Sequence, residues 1–388
     1  MITSPQELGD WLRLMLVPDI GARTLRRLLS TWPDPRQIFE QDERALCQVL
    51  PPRQAHALLT EPPGWAALQD RTWRWLQDSL PGTPLAGVPR AIVTLGDPDY
   101  PAPLLEMPDP PLMLHALGQT TALPRLDIAT SLAIVGSRNP TPQGQINARA
   151  FAHHLAARGL TVVSGLALGV DGAAHEGALE GSSAQALATV AVVGTGLDRV
   201  YPRQHLALAQ QVAQRGLILS EYPLGTPPLR ANFPQRNRII SGLAQGTLVV
   251  EAALHSGSLI TAREALEQGR EVFAIPGSIH SALSRGCHAL IREGAKLVES
   301  AEDVLEELRQ PELFAATDEA PPPAKAQAQG VHEDPLLRAL GHDPVSLDAL
   351  QARCGLDTAS LQAQLLELEL GGQVTRLASG LFQRVGQA

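Results

Sequence analysis

The chain has 388 residues, 44% of them hydrophobic, and a formal net charge of −9. That length supplies material for two or three domains with a real core. No stretch approaches the ~18 unbroken apolar residues of a membrane span, Cys47, Cys287 and Cys354 form neither a disulfide framework nor a metal knuckle, and MITSPQELGD has no basic-then-apolar leader, so a cytoplasmic protein without a metal is expected.

Residues 1–80 read as helical by periodicity. Within them, Val17 to Leu29 (VPDIGARTLRRLL) has the look of a helix-hairpin-helix, whose Pro–Asp–Ile–Gly turn would aim backbone amides and Arg23 at a nucleic-acid phosphate. An ordinary small helical bundle fits the same residues. Two short strands follow, in Gly87–Pro101 and Pro110–Gly118, each bounded by Gly and Pro, and both extend a sheet on one edge.

From Leu132 the pattern is regular. Apolar runs begin near Leu132, Thr161, Thr189, Leu217, Thr247, Glu271 and Ala295, and Gly159, Gly181, Gly216 and Gly269 close the amphipathic stretches between them. This is βα alternation in a doubly wound sheet, where ligands lie beyond the carboxyl ends of the strands. Those ends read Gly136-Ser137-Arg138, Ser164-Gly165 with Gly169 beyond, Gly194-Thr195-Gly196, Ser220-Glu221, Ser256-Gly257-Ser258 and Pro276-Gly277-Ser278. Glycine and hydroxyl turns at helix N-termini expose N–H groups that hold phosphate.

After a helix at Ala301–Arg309, the segment 310–334 is rich in Pro, Ala and Gln and reads as a linker. Pro335 to Val385 then reads as three helices and a two-stranded hairpin, a winged helix. Its third helix, Thr358–Leu370, carries Glu367 and Glu369 and no Arg or Lys, which favours a protein contact over the duplex contact common in that fold. The fold class is thus α/β: an extended Rossmann-like, mostly parallel sheet (81–309) flanked by an all-helical N-terminal domain and a C-terminal winged helix.

Small-molecule motifs fail. Gly194-Thr195-Gly196 opens a dinucleotide loop, but Arg199 stands where the third glycine belongs, and no Walker A loop or H-E-x-x-H pair occurs. What remains is Leu229–Leu243, LRANFPQRNRIISGL. Phe233-Pro234 predicts an extended approach followed by a helix start. Phe233 between Arg230 and Arg236, with Asn232 and Asn237, is an arrangement suited to single-stranded nucleic acid: a base stacks on the ring and guanidinium groups hold the backbone. The competing reading buries Phe233 and pairs Arg236 and Arg238 with Glu221 and Glu251.

At these residues the chain resembles the DprA (Smf) family. Ile134-Val-Gly-Ser-Arg138, Ser164-Gly-Leu-Ala-Leu-Gly-Val-Asp171 with His175, Phe233-Pro-Gln-Arg-Asn-Arg-Ile-Ile-Ser-Gly-Leu243, Val250-Glu-Ala252, Ser256-Gly-Ser-Leu-Ile-Thr-Ala-Arg263 and Ala274-Ile-Pro-Gly277 agree in order and spacing. The resemblance implies a homodimer that binds single-stranded DNA, uses no cofactor, and loads a RecA-type recombinase in natural transformation. It further implies that Arg138 is the main phosphate contact and that Phe233 stacks a base. Arg230 stands where members commonly have lysine. Dimerisation would fall in the late Rossmann region, around His288, Leu290 and Ile291. The rival reading is a nucleotide-processing enzyme of nucleoside-monophosphate glycosidase type, supported by Ser256-Gly-Ser ahead of Arg263-Glu264, although the proline-glycine-glycine of such loops is missing.

Overall fold

The computed structural model describes residues 1–308, 334–341, 344–377 and 380–385. Six helices open the chain: α1 (Pro5–Met15), α2 (Ala22–Thr31), α3 (Pro35–Phe39), α4 (Glu43–Leu46), α5 (Pro52–Leu59) and α6 (Trp65–Leu76). Ser4, Asp34 and Asp42 start α1, α3 and α4 by accepting from early backbone N–H groups. The α1–α2 turn buries Val17 and Ile20 and leaves Arg23 exposed.

The sheet follows as β1 (Arg90–Thr94), α7 (Ala102–Leu105), β2 (Met113–Gly118), β3 (Ser131–Val135), α8 (Pro142–Ala157), β4 (Thr161–Ser164), α9 (Val170–Gly181) and β5 (Thr189–Val192). It continues through α10 (Leu206–Arg215), β6 (Leu217–Ser220), α11 (Asn232–Gly242), β7 (Gly246–Val249), α12 (Ser258–Glu267), β8 (Glu271–Ala274), α13 (Arg285–Arg292), β9 (Lys296–Leu297) and α14 (Ala301–Glu307). The nine strands lie in the order β1-β2-β6-β5-β4-β3-β7-β8-β9. β3 to β9 run parallel to their sheet neighbours among themselves, and β2 joins antiparallel to both β1 and β6.

Each parallel strand is covered on both faces, which is why it reads as a continuous apolar run. In β3, Ala133 and Val135 pack with Ile239, Ile240, Leu259 and Ala262 of α11 and α12, and Leu132 and Ile134 pack with Phe151, Leu155 and Val170 of α8 and α9. The second layer continues as α10 and the N-terminal helices over Ile92, Met113, Leu117, Ala191 and Ile218. Strand order runs one way from β3 to β6 and then jumps to β7 on the other side of β3. This is the topological switch point, where a crevice opens between the two strand ends.

The C-terminal elements are α15 (Pro335–Leu340), α16 (Leu347–Cys354), α17 (Thr358–Leu370) and the antiparallel pair β10 (Val374–Arg376) and β11 (Phe382–Arg384). They share a core of Leu336, Leu340, Leu350, Leu361, Leu365, Val374 and Phe382, a winged helix. The linker expected over 310–334 lies, apart from Asp334, outside the described residues. Among the described residues no helix is long and apolar enough to cross a membrane.

Candidate nucleic-acid interface

A cleft of about 830 Å³ opens at the switch point, between the turn after β3 and the segment after β7. The β3 turn is held from three sides. Gly169 has φ +80°, and a Cβ there would meet the carbonyl oxygens of Ser137 and Arg138 at 2.5 and 2.7 Å, so only glycine seats this turn against α9. The N–H of Val170 donates to the Ser137 carbonyl at 3.1 Å. From the β7 side, the Glu251 carboxylate accepts from the Thr141 N–H (2.8 Å) and hydroxyl (2.6 Å). Burial pushes the Glu251 carboxyl up, against those two Thr141 donors. The Arg138 backbone is therefore fixed while its exposed side chain is left to work at the mouth.

The opposite wall is α11, and it begins two residues before the expected point: Asn232 is already helical, so Phe233-Pro234 sit in the first turn rather than on an extended approach. Proline is tolerated there because first-turn N–H groups have no intrahelical acceptor. The Asn232 side chain donates to the Gly194 carbonyl at 3.0 Å and anchors the turn. Phe233 is half-buried, with the Arg138 guanidinium 5.1 Å from its ring centroid. Tyr201 lies beside it, centroids 5.8 Å apart and planes tilted 40°.

Arg236 points inward. Its side chain is 5% exposed and donates to the carbonyls of Gly165 (2.7 Å) and Val192, with Asp171 at 3.8 Å. A Cβ on Gly165 would collide with that guanidinium. Burial pushes the Asp171 carboxyl up, and Arg236 opposes it. The competing reading, which pairs Arg236 with Glu221 or Glu251, therefore does not hold for Arg236. Arg238 does pair with Glu221 (2.5 Å) and also with Asp109 (3.1 Å). With those two paired, the exposed guanidiniums of Arg138 and Arg230, neither in a salt bridge among the described residues, set the field at the cleft mouth.

Of the residues singled out in the sequence, Gly136, Ser137, Arg138, Arg230, Phe233, Arg236, Asn237, Ser256, Gly257 and Ser258 line the cleft. Gly165 lines a smaller recess of about 60 Å³ beneath Tyr201 and Phe233. Ser164 does not face the cleft: it is fully buried and its hydroxyl donates to the Ile134 carbonyl at 2.7 Å. Gly169 and Asn232 also belong to the framework. Tyr201 and His255 line the cleft and were missed. The signal for Tyr201 was its place in the loop that follows Gly194-Thr195-Gly196 at the end of β5. Near the β9 edge, His288 and Ile291 line an apolar groove with Leu254, Ile279 and Leu297. Leu290, 3% exposed, is core and unavailable to a partner.

Fold and site together define a Rossmann-type protein with an open, arginine- and aromatic-lined cleft at its switch point and a C-terminal winged helix. The chain belongs to the DNA recombination-mediator protein A family, whose model matches residues 91–309; the DprA winged helix domain matches residues 319–380. It is 43% identical over 291 residues to protein Smf of Escherichia coli (strain K12), covering 72% of this chain and 74% of that one. It is 47% identical over 211 residues to DNA processing protein DprA of Streptococcus pneumoniae, covering 54% and 72%. The X-ray structure of DNA processing protein A from Streptococcus pneumoniae superposes with a TM-score of 0.62 at 35% identity, covering 79% of this chain and 99% of that one. A structure describing the single-stranded DNA binding mode of DNA processing protein A from Helicobacter pylori gives 0.50 at 32% identity, covering 56% and 95%.

Proposed function

We propose that this protein binds single-stranded DNA in the switch-point cleft and, as a homodimer, presents the strand to a RecA-type recombinase in the cytoplasm during natural transformation. The observation that carries the reading is the meeting of two exposed guanidiniums, Arg138 and Arg230, with the half-exposed ring of Phe233 in one cleft. Guanidinium groups grip phosphate in a fork geometry, and an aromatic face stacks any base once that base is unpaired. Duplex DNA hides its base faces, so such a site selects single strands. Arg138 rests over Phe233, and a swing toward a phosphate uncovers the ring for a base. The N-terminus of α12, with Gly257 and Ser258 in the lining, adds backbone donors on the far side.

Family membership and the single-strand binding described for the Helicobacter pylori relative support this reading. For the dimer, exposed Leu254, Ile279 and Leu297 form an apolar face beside the β9 edge. The solvent face of α17 carries Glu367 and Glu369 with exposed Leu366 and Leu370, which suits a protein partner better than DNA. On this reading the cleft binds and holds, with no residue cast as nucleophile or base. Oligo-dT titration of Arg138→Ala and Phe233→Ala tests it: both weaken binding. Release of free base from nucleoside monophosphates would favour the glycosidase reading instead.

A further inference from the structure

Among the described residues, Tyr201 is the one aromatic side chain that is exposed, at 42%. Every other described aromatic is buried or half-buried. An exposed aromatic inside a polar, cationic cleft is not accounted for by packing, because its ring spends apolar area on water. Its surroundings continue the apolar character: Leu168, 38% exposed, and Pro202 line the recess beside it, with the flat backbone of Gly194-Thr195 below.

The rings of Tyr201 and Phe233 are 5.8 Å apart at centroids. A base sandwiched between them needs about 7 Å, twice the ~3.5 Å contact distance between carbons. So no base enters between the rings. The two rings instead make one bent platform, with Phe233 capped by Arg138 and the outer side of Tyr201 open toward Leu168.

We propose that Tyr201 is a second base-stacking residue, so that the strand crosses the cleft with one base on Phe233 and a neighbouring base on Tyr201 against Leu168 and Pro202. This rests on the reading of the cleft as a single-strand DNA site and extends it from one stacked base to two. The bend between the rings splays the two bases, which a stacked duplex end does not provide. The recognised feature is the π-face, so the site takes all four bases with small differences.

The experiment is equilibrium binding of the full-length chain to oligo-dT and to an oligonucleotide of equal length and charge carrying abasic sites. Alanine removal of a stacking ring weakens single-strand binding by about 5- to 100-fold. Tyr201→Ala is expected to lose that much on oligo-dT, to lose little on the abasic strand, and to keep the salt slope of the unsubstituted protein. Tyr201→Phe is expected to bind within about threefold of it. If Tyr201→Ala binds oligo-dT normally while Phe233→Ala and Arg138→Ala do not, the second platform is refuted and the cleft reading stands. If Tyr201→Ala loses equally on both strands, the residue acts by shaping the cleft, and the proposal is again refuted. If none of the three variants weakens binding, the cleft reading itself fails.

Discussion

Arg236 offers the sharpest division between a DNA contact and an internal strut. In the structure its guanidinium ties the carbonyl ends of β4 and β5 to Asp171 of α9, with 5% and 9% of the two side chains exposed. Arg236→Met keeps most of the stem volume and removes the charge. Breaking a buried pair by removing one partner costs about 3–5 kcal/mol, because the remaining charge is stranded. At 2–4 °C per kcal/mol for a chain of this class, the melting temperature falls by about 10 °C. Asp171, its carboxyl already pushed up by burial, then loses the Arg236 charge that opposes it. Its folded-state pKa rises further above the unfolded value, the folded state holds the extra proton, and stability falls as pH rises through that window. The variant should therefore lie closer to the unsubstituted protein at pH 5 than at pH 8, and Arg236→Met/Asp171→Asn should recover part of the loss. Thermal melts at the two pH values read this out. A variant that melts within about 2 °C of the unsubstituted protein, yet loses DNA affinity and salt dependence, would refute the strut and make Arg236 a phosphate contact.

Two further outcomes follow from the packing. His115, fully buried in β2 edge-on to Trp75, is pushed down to about 4 by burial. The neutral ring is the folded form, so its contribution is complete above the unfolded value near 6.5 and is lost as pH falls toward 4; at pH 5 the loss is about 2 kcal/mol. Denaturant titrations from pH 7 to pH 5 should show His115→Phe with a shallower decline, and an identical decline would contradict the assignment. Ile279, 74% exposed on the apolar groove, is the place to test the proposed dimer. On that proposal the unsubstituted chain should sediment as a dimer and Ile279→Glu at the same concentration as a monomer; a dimer unchanged by the substitution would move the interface elsewhere.

Much of the fold was legible because parallel strands covered on both faces must be apolar along their whole length. Leu132–Val135, Thr189–Val192 and Leu217–Ser220 needed no tertiary information to be read as strands. The glycine turns located the rim for the same local reason. What sequence could not supply was direction of side chains across the sheet. Arg230, Arg236 and Arg238 look alike in a string, yet one is exposed, one is a buried strut and one is neutralised by Glu221 and Asp109. The difference for Arg236 lies in Gly165, seventy-one positions away, whose missing side chain makes the seat for its guanidinium. Ser164 was misplaced for a similar reason, since alternation along β4 turns it into the sheet. Tyr201 had a signal in its place after Gly194-Thr195-Gly196, but whether a loop aromatic packs or stays exposed is settled only by the tertiary fold.

The central claim is that Arg138 holds a phosphate and Phe233 stacks a base in one cleft. Oligo-dT affinity measured across a salt series tests it most directly. Log affinity should fall linearly with log salt, Arg138→Ala should reduce that slope by about 0.7, and Phe233→Ala should lose about 5- to 100-fold with the slope unchanged. Binding that ignores salt and is the same in the unsubstituted protein and both variants would contradict it.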